Sequence, residues 1–451
     1  MGKTQPMAGI GFHLKMLAYQ ATWWLGLPLA LAYLFWRSRR DTDYRRFLDE
    51  RFGFGPVIRG AIWVHAVSLG EMRSAEPLVR ALLARGETIV TTHATPAGRR
   101  AAHKLFPDEI SDGRLVVRYV PVELAPAFRR FLRECQPKLA LVMEIELWPV
   151  MIRQARRASV PLFLCNAQYP VKSYERDKTG NKLRGQILRE VTGVMAKSRT
   201  HADRFAALGA CNIHITGELR FDQIIPAEQI SAANALRPLL EKRPVITVAS
   251  VVASEEILYQ QTYQSLIDKA DQADRPRPFF FHVTRAPERF EKDFQALKSA
   301  GLNVLLRSQA LDGTLAPKPD VDWQSADVLV GDSLGEMSFF QSLADIVSVS
   351  GSFSEQGSHN ICEPIALGKP VINGPVIWPI EYPAVEAIAE DALHLVQTPT
   401  ELAEAIDALL ADPAELQRRQ QAAQAFLAKY SGAVDKTLAV IDPLLKREQI
   451  A

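Results

Sequence analysis

Two series of short apolar runs, each interleaved with amphipathic stretches, constrain this chain more than any other feature. The first series is Ile62–Val67, Thr88–Thr92, Leu115–Val120, Leu139–Met143, Leu162–Cys165, Val191–Ala196 and Ile213–Thr216. Helical patterns such as Arg73–Ala84, Pro126–Cys135, Val150–Ala158 and His201–Leu208 fall between them. The pattern pauses at a polar stretch near Pro226 to Arg243. It restarts with Val245–Ser250, Phe279–Val283, Val304–Leu306, Val328–Val330, Ile346–Val349, Val371–Ile372 and Leu393–Val396. Strands that are apolar throughout are buried on both faces, and their alternation with helices predicts parallel sheets. The expectation is an α/β chain with two Rossmann-like, doubly wound domains facing across a cleft. The boundaries are 41–225 for the first domain, 226–243 for a linker, 244–430 for the second domain and 431–451 for a tail helix.

Composition narrows the class. A hydrophobic content of 47% with 23% charged residues is globular. A formal net charge of +2 gives no electrostatic case for nucleic acid. Cys135, Cys165, Cys211 and Cys362 are scattered without C-x-x-C spacing, which suggests neither a zinc site nor a disulfide framework. The N-terminus is different. From Met16 to Trp36 there is no charged residue, and Arg37-Ser38-Arg39-Arg40 follows at once, with Arg45, Arg46 and Arg51 soon after. About 20 apolar residues cross a bilayer core as a helix. The basic cluster lies on the wrong side of the run for a cleaved signal peptide. Residues 1–40 are therefore expected to be a single N-terminal membrane anchor, spanning or lying in the interface. The domains behind it would be cytoplasmic by the positive-inside tendency.

The candidate chemistry sits at the ends of the apolar runs. Trp63-Val64-His65-Ala66-Val67 runs into Ser68-Leu69-Gly70-Glu71 at a strand-to-helix turn, the carboxyl edge of a parallel sheet. Glu71 there is either a catalytic carboxylate or a residue that favours the helix N-terminus through its dipole. Gly70 would let the turn tighten beside a substrate. Glu144-Ile145-Glu146-Leu147-Trp148-Pro149 follows another run. Its two glutamates, at i and i+2, would point the same way, to bind hydroxyls, raise one another's pKa or cap the next helix. In the second half, Gly351-Ser352 and the stretch through Asn360 to Glu363 form a small-residue loop before a helix, suited either to an anion or to an ordinary turn capped by Asn360. Gly331–Glu336 is a second such loop, and Thr284-Arg285-Ala286-Pro287 a third. Arg285 is placed to meet a carboxylate or phosphate, and Arg289 falls on a solvated helix face. His65, His93, His282 and His359 lie near strand ends, where hydrogen-bonded structural roles are the commoner ones.

With these motifs in order, the chain resembles the 3-deoxy-D-manno-octulosonic acid (Kdo) transferases. The resemblance runs from about Tyr44 to near the C-terminus. It rests on WVHAVSLGE (Trp63–Glu71), EIELWP (Glu144–Pro149), GELRFD (Gly217–Asp222), APERF (Ala286–Phe290), GDSLGE (Gly331–Glu336) and GSFSEQGSHNICEP (Gly351–Pro364). It implies a GT-B glycosyltransferase with a CMP-Kdo or related CMP-ulosonate donor, a lipid A precursor acceptor and the cytoplasmic face of the inner membrane as its place of work. It implies Glu71 as general base. Ser68, Gly70, Glu144 and Glu146 would lie on the acceptor side of the site. Arg285, Pro287, Gly335, Glu336, Gly351, Ser352, Asn360 and Glu363 would lie around the nucleotide sugar. It implies no metal ion and no cofactor. The chain departs from the family pattern at Ala286, where the family carries histidine, within the segment Ala249–Glu256, and at Gln168 in place of an arginine. These departures leave two alternatives: a divergent paralogue with another donor or acceptor, and a non-catalytic scaffold of the same fold.

Overall fold

The computed structural model describes residues 10–179 and 183–448. Residues 1–9 of the expected anchor and 449–451 of the expected tail lie outside the described residues. The chain divides into two compact units, Met1–Gln223 with Gly432–Ala451, and Ile224–Ser431.

The first unit is built on a seven-stranded sheet in the order β3-β2-β1-β4-β5-β6-β7. Its strands are β1 Ile62–His65, β2 Ile89–His93, β3 Leu115–Tyr119, β4 Leu139–Met143, β5 Leu162–Ala167, β6 Gly193–Ala196 and β7 Ile213–Ile215. Every pairing is parallel, with Ile62 opposite both Ile89 and Leu139. Alternate residues serve opposite faces. Trp63 and Val142 join one core with Phe128, Phe131 and Ile152. Ile62, Val64 and Leu141 join the other with Met72, Leu78 and Leu82. The order reverses direction between β1 and β4. Their carboxyl ends therefore diverge into a crevice, where ligands bind in folds of this kind.

Two terminal helices complete this unit. The N-terminal helix runs Ile10–Arg37. Phe12 and Met16 are buried in the core with Phe128 and Ile152. Gln20 donates to the Glu123 carbonyl at 2.7 Å and accepts from Ala125 N–H at 3.0 Å. Leu14, Leu17, Trp24, Leu25, Leu29, Tyr33, Phe35 and Trp36 are exposed. Among the described residues no helix is long and apolar enough to cross a membrane. Gln20, Thr22 and the aromatic and small residues dilute the hydrophobicity that the absence of charge suggested. The basic cluster is also less free than its sequence implies. Arg51 is buried over the Tyr119 ring, and Arg37 donates to the Tyr44 hydroxyl at 2.9 Å. At the other end, the helix Ala433–Glu448 places Ala433, Leu438, Ile441 and Leu445 in the core beneath β1 and β4. The two oxygens of Asp222 receive the N–H groups of Gly432 and Val434 at 2.7 Å each.

The second unit has its own seven-stranded parallel sheet, in the order β10-β11-β9-β8-β12-β13-β14. The strands are β8 Val245–Val251, β9 Phe279–Thr284, β10 Val304–Leu306, β11 Val328–Val330, β12 Ile346–Val349, β13 Val371–Asn373 and β14 Leu393–Leu395. Its two cores lie on opposite faces, one around Val248, Tyr263 and Phe280, the other around Phe279, Phe281 and Phe339. The 226–243 stretch, expected as a linker, contains the helix Ala227–Leu236 and a turn Arg237–Leu240. Ala233, Leu236 and Leu240 are buried in the second of these cores, because polar residues alternate with them at helical spacing.

Candidate active site

In the first unit, the helix Leu69–Ala84 begins directly after β1, and Ser68 is its N-cap. Ser68 Oγ accepts from Glu71 N–H at 3.4 Å and donates to Glu71 Oε1 at 3.2 Å. Glu71 Oε2 accepts the Val67 N–H at 2.7 Å. This is close to a capping box, so the helix-terminal role of Glu71 is real. It is not the whole description. Glu71 is 9% exposed, and its carboxyl is pushed up to about 8. Burial is the main cause, and Glu144 and Glu146 add repulsion against the opposing Val67 N–H. A carboxylate that changes charge near neutrality at a sheet's switch point suits proton abstraction. Gly70 has no strained conformation. A side chain there would meet nothing nearer than Ser68 Oγ at 3.9 Å, so the expected tight turn is absent.

Glu144 and Glu146 both act on Glu71 and take different hydrogen-bond partners. Glu144 leaves β4 with φ +56°, an uncommon conformation outside glycine, and this turns the chain between the two residues. Glu146 accepts from Trp148 Nε1 at 2.6 Å, and burial raises its pKa. Glu144 lies 3.7 Å from Lys197 Nζ and 4.0 Å from Arg220, and accepts from Gln168 Nε2 at 3.5 Å. Trp148 packs edge-on against His65.

Behind them stands a buried charge network with no counterpart in the sequence reading. Lys197, just past β6, is 2.8 Å from Glu218 in the turn after β7. Asn166 at the end of β5 donates to Glu218 at 2.9 Å. Burial alone would push the Glu218 carboxyl up, but Lys197 and Arg220 hold it down at about 2. Arg220 Nε donates to Ser74 Oγ at 2.6 Å, and Ser74 Oγ donates to the Gly70 carbonyl at 3.0 Å. The available signal was charged or amide residues at the ends of apolar runs: Asn166 after Leu162–Cys165, Lys197 after Val191–Ala196, and Glu218 within GELRFD. His65 and His93 are buried and held neutral, at about 4 and about 3, chiefly by desolvation.

In the second unit the expected nucleotide residues fall at strand ends, with different partners from those anticipated. Glu255, which the sequence reading did not single out, accepts from Ser350 Oγ, Gly351 N–H and Phe353 N–H, each at 2.8 Å. The Gly351 amide, expected to hold a phosphate, is therefore already bonded within the fold. Gly351 is required there. Its φ is +91°, and a Cβ would lie 2.3 Å from the Gly357 carbonyl. Ser352 Oγ accepts from Gly374 N–H at 2.9 Å. Asn360 stands one residue before the N-cap Ile361, its Oδ1 accepting Cys362 N–H at 3.0 Å and its Nδ2 donating to Glu363 at 3.2 Å. The helix that follows, Cys362–Ala366, is short.

Glu336 is engaged by both nitrogens of an Arg307 fork, at 2.7 and 2.5 Å. Gly335 takes φ +91°, and its carbonyl accepts from Gln229 at 2.9 Å. Pro287 opens the turn Pro287–Arg289. Arg289 is half-buried rather than on an open face, since it pairs with Glu256 and with Asp293 at 2.9 Å. Arg285 contacts the His359 ring, its Nη1 lying 2.7 Å from Nδ1. Burial and the Arg285 charge hold His359 at about 4, a neutral ring that accepts the hydrogen bond. Among the described residues Arg285 makes no ion pair, which leaves its charge for an anion.

Residues 46–223 match a family model described as 3-deoxy-D-manno-octulosonic-acid transferase (kdotransferase). The chain is 35% identical to the 3-deoxy-D-manno-octulosonic acid transferase of Bordetella pertussis over 93% of this chain and 96% of that protein. It is 29% identical to the transferase of the same name from Haemophilus influenzae, over 93% of this chain and 96% of that one. Among solved structures, it is similar to UDP-GlcNAc 2-epimerase from Neisseria meningitidis, with TM-score 0.56, 14% identity and coverage of 86% of this chain and 100% of that chain. It is also similar to UGT73P12 from Glycyrrhiza uralensis, with TM-score 0.57, 9% identity and coverage of 88% and 97%. The structural likenesses carry the fold alone, a GT-B-like pair of parallel-sheet α/β domains. The sequence likeness, running almost end to end at 35% identity, carries more: the chain belongs to the 3-deoxy-D-manno-octulosonic acid (Kdo) transferase family.

Proposed function

We propose that this protein is an inverting glycosyltransferase that moves Kdo, or a related ulosonic acid, from a CMP-activated donor to a lipid A precursor in lipopolysaccharide biosynthesis. The observation that carries this reading is Glu71, buried at the switch point of the first sheet, beside Glu144, with a proton affinity near neutrality. In the proposed step Glu71 takes the proton of the acceptor hydroxyl as that oxygen attacks the anomeric carbon. The new C–O bond forms while the bond from the anomeric carbon to the CMP phosphate breaks, and CMP departs with the electron pair. Positioning and charge stabilisation carry much of such a barrier. Arg285, without an acidic partner among the described residues, is the group proposed to meet donor charge. Asn360 and Glu363 are the proposed contacts to the nucleoside, and Ser68, Glu144 and Glu146 those to the acceptor. Gly351, Ser352, Gly335 and Glu336 shape the surrounding loops through the bonds described above, and Pro287 through the turn it opens.

The same reading puts the chain at the inner face of the cytoplasmic membrane, attached through the helix Ile10–Arg37. Phe12, Met16 and Gln20 are embedded in the domain, so the remaining turns fall short of the roughly 20 residues that a crossing needs. The exposed Leu25, Leu29 and Trp36, with Arg39 and Arg40 beyond, suit a helix lying in the headgroup region.

The test is mass spectrometry of lipid products after purified protein is incubated with CMP-Kdo and lipid A precursor. The expected product is the precursor heavier by Kdo residues, formed by the wild type and not by Glu71→Gln. Absence of product from the wild type with CMP-Kdo and other CMP-ulosonates would overturn the donor assignment.

A further inference from the structure

We propose that Lys197 is a positioning residue for sugar transfer, whose ammonium joins the buried Glu218 to Glu144 and so fixes the place of Glu144 beside Glu71. The inference rests on the reading of Glu71 as general base. It begins from a cost. Lys197 and Glu218 have side chains only 2% and 1% exposed, and burying an ion pair is rarely favourable for stability alone. Three further bonds accompany it. Asn166 donates to Glu218 at 2.9 Å, Leu219 N–H reaches Asn166 Oδ1 at 3.0 Å, and Lys197 donates to Gln168 Oε1 at 3.4 Å. Gln168 in turn donates to Glu144. Lys197 thus touches Glu144 twice, directly at 3.7 Å and through Gln168. Glu144 and Asn166, at adjacent strand ends, both hold positive φ, +56° and +51°. Strain of this kind persists where surrounding bonds impose it, and here the Lys197 network supplies them.

The groups facing Glu71 and Glu144 come from every neighbouring element. They are Ser68 before the first helix, Ser74 on it, Glu146 after β4, Asn166 and Gln168 at β5, Lys197 at β6, and Glu218 and Arg220 after β7. Arg184 acts on Glu146 at longer range. The buried His65 and His93 stay neutral and add no charge. Lys197 lies between Glu144 and Glu218, at 3.7 and 2.8 Å, and Arg220 stands 4.0 Å from Glu144. Without the ammonium, Glu144 loses the positive charge 3.7 Å away, and Glu71, whose carboxyl Glu144 already raises, should hold its proton more tightly.

The experiment measures kcat/KM against pH on the full-length protein, with CMP-Kdo and lipid A precursor. The variants are Lys197→Gln, Lys197→Arg, the double variant Lys197→Gln with Glu218→Gln, and Glu71→Gln. Lys197→Gln should move the acid limb of the profile up by roughly one pH unit, a tenfold loss of rate on the acid side. Lys197→Arg should return the limb toward wild type. The double variant removes the unpaired buried carboxylate, so its thermal midpoint should recover, yet its limb should stay displaced because Glu144 still lacks its cation. A limb in Lys197→Gln coincident with wild type overturns the proposal. So does a double variant that recovers both midpoint and limb, since Lys197 would then serve only Glu218. Wild-type turnover by Glu71→Gln would overturn the general-base reading instead, and this proposal with it.

Discussion

At the scale of single residues, Glu71 combines two bonding roles with one titration. Its oxygens accept the Val67 N–H and the Ser68 hydroxyl, which ties it to the helix N-terminus. Burial beside Glu144 raises its carboxyl from an ordinary 4.5 to about 8. A base must be ionised, so transfer should rise with pH through about 8. Glu71→Gln should lower transfer by about 10²–10⁴-fold and remove that limb, as a pH series of initial rates would show. The stability effect has its own sign. A carboxyl with a raised folded-state pKa binds protons more tightly when folded, so its contribution is full below 4.5 and is lost as pH rises through about 8. The Gln variant should therefore gain thermal midpoint over wild type above pH 8, with the difference vanishing near pH 4; an equal difference at both ends would contradict the shift. Glu255 makes a second residue-scale case. Its carboxylate satisfies the Gly351 and Phe353 amides and the Ser350 hydroxyl. Glu255→Ala strands these donors, and each unsatisfied group costs about 1–3 kcal/mol. Chemical denaturation should show the loss, and CMP binding by calorimetry should weaken as the loop relaxes.

Among the elements, the N-terminal helix and the helix Pro149–Arg157 meet at one residue, Glu123. Glu123 accepts from Val150 and Met151 N–H groups at 2.9 Å each, which caps the second helix, while its carbonyl takes Gln20 of the first. Burial pushes Glu123 up to about 7, opposed by those two N–H groups. Glu123→Ala should cost about 1–3 kcal/mol in denaturant unfolding and expose the start of the helix behind Trp148. Deleting the first 40 residues, the simplest test of membrane attachment, would also strip Phe12 and Met16 from the core. Charge placed on the outward face separates the two effects. Leu25 and Leu29 are 81% and 76% exposed, so glutamate at both positions should leave the thermal midpoint nearly unchanged. In a lysate fractionation the variant should shift from membrane to supernatant, and full retention on membranes would argue against this face as the attachment.

For the whole molecule, the division of the chain decides what can be cut. Residues Ile224–Ser431 form one continuous unit with its own sheet and cores. Expressed alone, this segment should unfold cooperatively and give a far-ultraviolet α/β spectrum. The first unit is discontinuous. The helix Ala433–Glu448 returns to it, burying Leu438 and Ile441 with Val64 and Leu78. Ending the chain at Ser431 should therefore destabilise the first unit, while Leu438→Ala, a smaller cut in the same core, should cost about 2–5 kcal/mol. A truncated chain with an unchanged melting profile would show that the helix contributes little.

How much of this was legible in the sequence follows from the range of the forces involved. The strands were legible because a run such as Leu139–Met143 is apolar on both faces and declares its burial locally. Glu71 was legible as a candidate because Ser68-x-x-Glu71 sits between a strand pattern and a helix pattern, and the order of motifs pointed to the family. Strand order, by contrast, depends on which runs become neighbours. Only the tertiary structure brings β1 beside β4, and with them Glu71 toward Glu144. The partners of the charged groups were decided the same way. Lys197 with Glu218, Glu255 with Gly351, and Arg307 with Glu336 are pairings between separate strand ends, invisible to periodicity. The anchor expectation counted the absence of charge between Met16 and Trp36, whereas burial of Phe12 and Met16 and the bonds of Gln20 depend on a surface that distant residues such as Glu123, Phe128 and Ile152 create. The Ala433–Glu448 helix reads as a tail in the sequence, and it is a core element because Ala433, Leu438 and Ile441 find apolar surface under a sheet formed by the other end of the chain.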